Sequence, residues 1–104
     1  MKKIVTMSLI TLALTTSVSA KNWVIDQKGK TFVPSALTVH VGDTITFKNS
    51  DPFAHNAYTD EETNEFDVGM QATGKTTKMT VNSAESFSVE CAIHPNMLLE
   101  VTVE

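Results

Sequence analysis

Beyond residue 20 the chain is built of short runs in which apolar and polar residues alternate, each closed by Gly, Pro, Asn, Asp or Ser. Side chains on a strand point to opposite faces in turn, so such runs suit half-buried strands and not helices. Leu37, Val39 and Val41 share one face of a run that ends at the Gly42-Asp43 turn, and Thr44 to Lys48 follows with Ile45 and Phe47 together. This pair reads as a hairpin. Asn22 to Asp26, carrying Trp23, reads as an edge strand, and Phe32-Val33-Pro34 as an extended segment. After the turn cluster Asn49-Ser50-Asp51-Pro52 come His55 to Thr59, then Thr76 to Val81, Ser86 to Cys91 and a closing run to Val103. Turns at this spacing predict an all-β fold, a Greek-key β-sandwich of about eight short strands.

The first twenty residues carry a different signal. Lys2 and Lys3 precede an apolar stretch from Ile4 to Leu14, and Val18-Ser19-Ala20 supplies small residues at a cleavage site. The pattern is that of a Sec-type signal peptide over residues 1–20, which places the mature domain at 21–104 in the periplasm. No later stretch is apolar enough to span a bilayer. The mature part has 84 residues, enough for one small core. Its formal charge falls from −4 to −6 once Lys2 and Lys3 are gone. Such an acidic surface argues against nucleic acid and leaves room for a basic protein partner.

Exported domains of this size often depend on disulfides or a metal. One cysteine, Cys91, cannot form an intramolecular disulfide. It lies in Glu90-Cys91-Ala92-Ile93-His94-Pro95-Asn96-Met97, which places a thiolate, an imidazole and a thioether on one short loop. Cys91 shares a strand face with Phe87 and Val89, so it points inward at the strand's end, and Pro95 stiffens the loop that follows. His55 is the candidate for a fourth ligand. Two imidazoles and a thiolate with a weak thioether suit copper cycling between Cu(I) and Cu(II), whereas zinc takes four strong ligands and rarely Met. The plainer readings are a buried core cysteine, a Cys–His nucleophile pair without an orienting carboxylate, and Met97 as core filler. His40 is expected to face solvent, Met70 to lie in a turn, and Trp23 to pack near the N-terminus.

These residues resemble the plastocyanin/azurin-type cupredoxins. The closest pattern is the amicyanin-like group, whose compact Cys-x-x-His-Pro-x-Met loop matches Cys91, His94, Pro95 and Met97. The pair His55-Asn56 after a turn, and the stretch from Pro34 to Asn49, extend the likeness over about Phe32 to Glu104. The resemblance implies one copper ion on His55, Cys91, His94 and Met97. It implies an Asn56 amide bonded to the Cys91 sulfur, an Asn56 side chain tying the two ligand loops, and electron exchange through a near-surface His94. Ile93 stands where the family often has Pro, and its retained N–H is expected to reach the Cys91 sulfur too.

The function expected is single-electron transfer by a monomer between protein redox partners such as a basic cytochrome or oxidoreductase, and not an enzyme. A second class, a copper-binding protein for tolerance or delivery, uses the same ligands, but the chain has no Met- or His-rich tail. Asp60, Glu61, Glu62, Glu65 and Asp67 read either as a solvated loop or as a docking patch for a basic partner.

Overall fold

The structure is a computed structural model and describes Ala20–Glu104. The segment read as a signal peptide lies outside these residues but for Ala20. Nine strands form two sheets: β1 (Asn22–Gln27), β2 (Phe32–Val33), β3 (Ala36–Val39), β4 (Thr44–Asn49), β5 (Tyr58–Thr59), β6 (Phe66–Asp67), β7 (Thr76–Thr80), β8 (Phe87–Glu90) and β9 (Leu98–Val103). One sheet has the order β2-β1-β4-β7 and the other β3-β9-β8-β5-β6. The all-β sandwich is as expected. The strand beyond the expected eight is β6, a two-residue strand at the end of the acidic stretch.

Two pairings differ from the sequence reading. β3 and β4 do not form a hairpin: β3 runs parallel to β9, while β4 runs parallel to β1 and antiparallel to β7. The Gly42-Asp43 turn, with Gly42 at φ 98, is instead a corner between the sheets. Asp43 explains the difference. Its buried carboxylate accepts the Lys21 amide at 2.9 Å, the Trp23 indole N–H at 2.9 Å and the His40 amide at 3.0 Å. It therefore draws β1 alongside β4 where β3 was expected. For the same reason β1 is an interior strand, and β2 and β7 are the edges. Val41 lies beyond the end of β3 and is exposed, so only Leu37 and Val39 of that run face inward.

The core follows from the alternation. Ile25, Ile45, Phe47 and Met79 of the first sheet meet Val39, Phe87, Val89, Leu99, Val101 and Val103 of the second. Phenylalanines bridge the gap: Phe32 packs on Phe47 at 6.1 Å, Phe47 on Phe66 at 5.8 Å and Phe66 on Phe87 at 6.3 Å between ring centroids. Aromatic pairs at these separations add to the hydrophobic gain of burial. At one end of the sandwich, β5 and β8 pair through Tyr58 and Glu90. Because they are antiparallel, the residues just before Tyr58 and just after Glu90 emerge side by side.

Two outcomes are expected. Phe47→Ala, which opens a cavity between the sheets, should destabilise the domain by about 3–5 kcal/mol in urea unfolding; a loss below about 1 kcal/mol means the aromatic bridge is not structural. Asp43 gives a pH signature. Its hydrogen bonds to Lys21, Trp23 and His40 lower its pKa from 3.8 to about 2. A depressed carboxylate stabilises the fold above its unfolded pKa and loses that contribution as pH falls through the folded one. The urea midpoint of Asp43→Asn should therefore lie below wild type at pH 7, and the gap should close between pH 3.8 and about 2. A constant gap contradicts this.

Candidate metal centre

The two loops at that end of the sandwich carry the residues singled out in the sequence. The chain from 50 to 57 joins β4 to β5 and holds His55 and Asn56, and the chain from 91 to 97 joins β8 to β9 and holds Cys91, His94 and Met97. His55 is fully buried although it belongs to no long strand. An isolated bridge to Gln71 fixes its backbone, with His55 N donating to Gln71 O at 3.1 Å and Gln71 N to His55 O at 2.7 Å. The strand expected from His55 to Thr59 is thus only Tyr58–Thr59, preceded by this bridge. The turn before it is shaped by buried Asn49. Its side-chain amide donates to Phe53 O at 2.8 Å and Gln71 O at 2.9 Å, while its Oδ1 accepts the Asp51 amide at 2.9 Å. An Asn side chain that takes over backbone partners in this way sets a turn where no ladder continues.

Asn56 joins the loops. Its amide donates to Cys91 Sγ at 3.4 Å, and its Oδ1 accepts the Ala92 amide at 2.7 Å. Its Nδ2 also reaches Asp67 Oδ1 at 3.4 Å. The Ile93 amide makes no bond to the sulfur among the described residues, and the Ile93 side chain is 46% exposed. The loop then closes tightly, with Met97 N donating to His94 O at 2.9 Å. Met97 is buried and His94 is half-buried.

Three donor atoms converge. His55 Nδ1 and His94 Nδ1 are 3.1 Å apart, and Cys91 Sγ lies 3.8 Å from the His94 nitrogen and 4.0 Å from that of His55. Trigonal bonds of 2.0–2.3 Å to nitrogen and sulfur separate the donors by about 3.5–3.8 Å. The triangle is close to the size that one metal ion shared by all three donors requires, and both rings present the same nitrogen to it. His55, Cys91 and His94 form the cluster of His, Cys and carboxylate groups able to hold an ion among the described residues. A thiolate and two imidazoles, with a buried thioether on the same loop, fit one copper ion.

The surroundings divide the two histidines. Burial, then the His55 ring and the Lys30 ammonium, lower the His94 pKa, while Asp51 opposes them. The Phe53 ring, 37% exposed, lies 5.6 Å from the His94 ring and 5.3 Å from that of His55, and forms an apolar rim. His55 Nε2, away from the donor triangle, lies 2.7 Å from Asp51 Oδ2. In the sequence Asp51 reads only as a turn residue. Its position four residues before a candidate ligand was the available signal. Burial raises the Asp51 pKa, but the Lys30 amide, the His55 ring and the Gly29 amide outweigh it and leave it at about 2. His40 is exposed and Trp23 half-buried, as expected, and Met70 is exposed.

Known proteins place this site in context. The sequence matches the model of the copper binding proteins of the plastocyanin/azurin family over residues 18–104. It is 34% identical over 91 residues to plastocyanin A/B of Petroselinum crispum, and 32% identical over 93 residues to plastocyanin B'/B'' of Nicotiana tabacum. Each comparison covers 75% of this chain and 92% of the relative. Among solved structures, the Cu(I) form of an amicyanin variant superposes with a TM-score of 0.75 at 26% identity, covering 84% of this chain and 86% of that one. A copper-containing nitrite reductase of Thermus scotoductus shares the fold at 22% identity and a TM-score of 0.74, over 90% of this chain and 25% of its own. The chain belongs to the plastocyanin/azurin family of copper binding proteins.

Proposed function

We propose that this protein is a type 1 copper protein that carries single electrons between protein partners, exported by residues 1–20 and working in the periplasm. His55, Cys91 and His94 would hold the copper as its strong ligands, and Met97 would add a weak thioether. The observation that carries this reading is the donor triangle held ready by bonds that do not involve the metal: Asn56 to Cys91 and Ala92, and His55 to Gln71. A site that need not rearrange favours fast electron exchange, because its donors stay put when the charge changes. Copper supplies the Cu(I)/Cu(II) couple. The protein supplies the frame, a hydrogen bond to the sulfur, and an outlet where His94 meets the Phe53 rim. Amicyanin variants among the structural neighbours are described in Cu(I), reduced and oxidised states, which supports a redox role. The family match begins at residue 18, beside the boundary expected after Ala20. An enzyme is disfavoured because the four ligands leave no strong open position for a substrate.

The acidic loop is proposed as the docking face for a basic partner. Its carboxylates are exposed, but two have structural work as well. Glu61 accepts the Ser88 amide at 2.9 Å, and Asp67 accepts the Gly69 amide at 2.8 Å besides its contact with Asn56. Glu62 and Glu65 form no such bonds among the described residues and are the cleaner probes.

Adding Cu(II) to the mature protein should produce an intense thiolate-to-copper band at about 600 nm and a reversible voltammetric wave. Cys91→Ser should abolish the band. A colourless wild-type protein excludes a blue copper site, and ready loss of the metal to a Cu(I) chelator points to cargo and not to a carrier. Electron exchange with a basic cytochrome should slow steeply with ionic strength. Neutralising Glu62 and Glu65 should slow it at low salt, and salt-independent rates remove the docking idea.

A further inference from the structure

The carboxylate behind the buried histidine is held too firmly to be an incidental turn contact. Asp51 Oδ2 lies 2.7 Å from His55 Nε2, and both residues are buried. From the opposite side the Gly29 amide donates to Asp51 Oδ1 at 2.7 Å, and the Lys30 amide to Oδ2 at 2.9 Å. Gly29 and Lys30 form the turn between β1 and β2 and both have positive φ, 66° and 59°. Successive amides in such a turn converge on one point and make a receptor for an anion. Lys30 forms no ion pair with this carboxylate among the described residues; its ammonium sits over the Phe53 ring at 5.5 Å. The His94 ring has no comparable support, since among the described residues its polar contacts are with His55 and Cys91.

Resting on the copper reading above, we infer that Asp51 is a positioning residue that sets both the geometry and the redox bias of the metal centre. It keeps the His55 proton on Nε2, which leaves Nδ1 free to face the metal. It also places a negative charge one imidazole ring away. A ligating histidine that donates its other N–H to a carboxylate becomes more basic and binds the metal more tightly. A neutral carbonyl fixes the ring equally well, but only a charge discriminates between oxidation states. The more highly charged Cu(II) gains more from it than Cu(I) does, so the carboxylate lowers the reduction potential.

Asp51→Asn tests this, because it keeps the size and one acceptor oxygen and removes the charge. The variant should stay blue and show a higher reduction potential. Its Cu(II) affinity should fall about 10- to 100-fold, with a smaller fall for Cu(I). A folded variant with an unshifted potential overturns the inference, since a purely structural role lowers stability without separating the oxidation states. Should the variant fail to fold, the metal-free wild type decides by nitrogen-resolved NMR of His55. A proton on Nε2 that exchanges slowly with solvent supports the inference, and a proton on Nδ1 overturns it. A wild-type chain that takes up no Cu(II) overturns the copper reading and this inference together, whereas a blue wild type with an unshifted variant overturns the inference alone.

Discussion

The metal centre depends on one side chain that belongs to neither cysteine nor histidine. Asn56 spans the gap between two loops that the sheets bring to the same end but do not themselves join. β5 and β8 share a single register pair, Tyr58 with Glu90, and the ladder stops there. From that point no ladder runs between the two loops, and Asn56 joins them with one bond to the sulfur and one to Ala92. Buried polar groups stabilise only when satisfied, and a satisfied network selects one arrangement over its neighbours. The same residue touches Asp67, so the acidic face and the ligand loops share a fixed frame.

His55 shows how a β-sandwich accommodates a polar pocket. Asn49, Asp51 and Gln71 surround it, and all are buried. Burying such groups is unfavourable unless hydrogen bonds replace water. Here Asn49 serves the turn, Gln71 serves the His55 backbone, and Asp51 serves its ring. The apolar core lies between the sheets, and this polar cluster closes it at one end. Cys91 stands at the boundary, in line with Phe87 and Val89, and so the thiol belongs to the core while its sulfur faces the histidines.

Much of this was legible in the sequence, and the failures have physical causes. Alternation placed β7, β8 and β9 and the inward face of Phe87, Val89 and Cys91, because strand periodicity is local. The spacing of Cys91, His94 and Met97 was legible for the same reason: the donors lie on one loop. The β3–β4 hairpin was misread because a Gly-Asp turn looks the same whether the chain doubles back or crosses to the other sheet. What decides it is the capture of Lys21 and Trp23 by Asp43, a contact between distant parts of the chain. β1 reads as an edge strand because nothing within it reveals a parallel partner. Asp51 was missed because its amide partners, Gly29 and Lys30, lie in a hairpin far upstream.

The parallel pairing of β3 with β9 bears on when the site comes into existence. β3 lies early in the chain and its neighbour β9 is the last strand, yet β9 also flanks β8 and so occupies the interior of its sheet. Contacts between such remote segments pay their loop-closure entropy before they return any stability, which slows assembly. The five-stranded sheet therefore cannot be completed from its early strands alone. Until β9 is in place β8 lacks its longest pairing, and the loop that carries Cys91, His94 and Met97 is anchored at one end only. The loop that carries three of the four candidate ligands is thus closed by the last strand of the chain, and the finished site is tied to the pairing of remote segments.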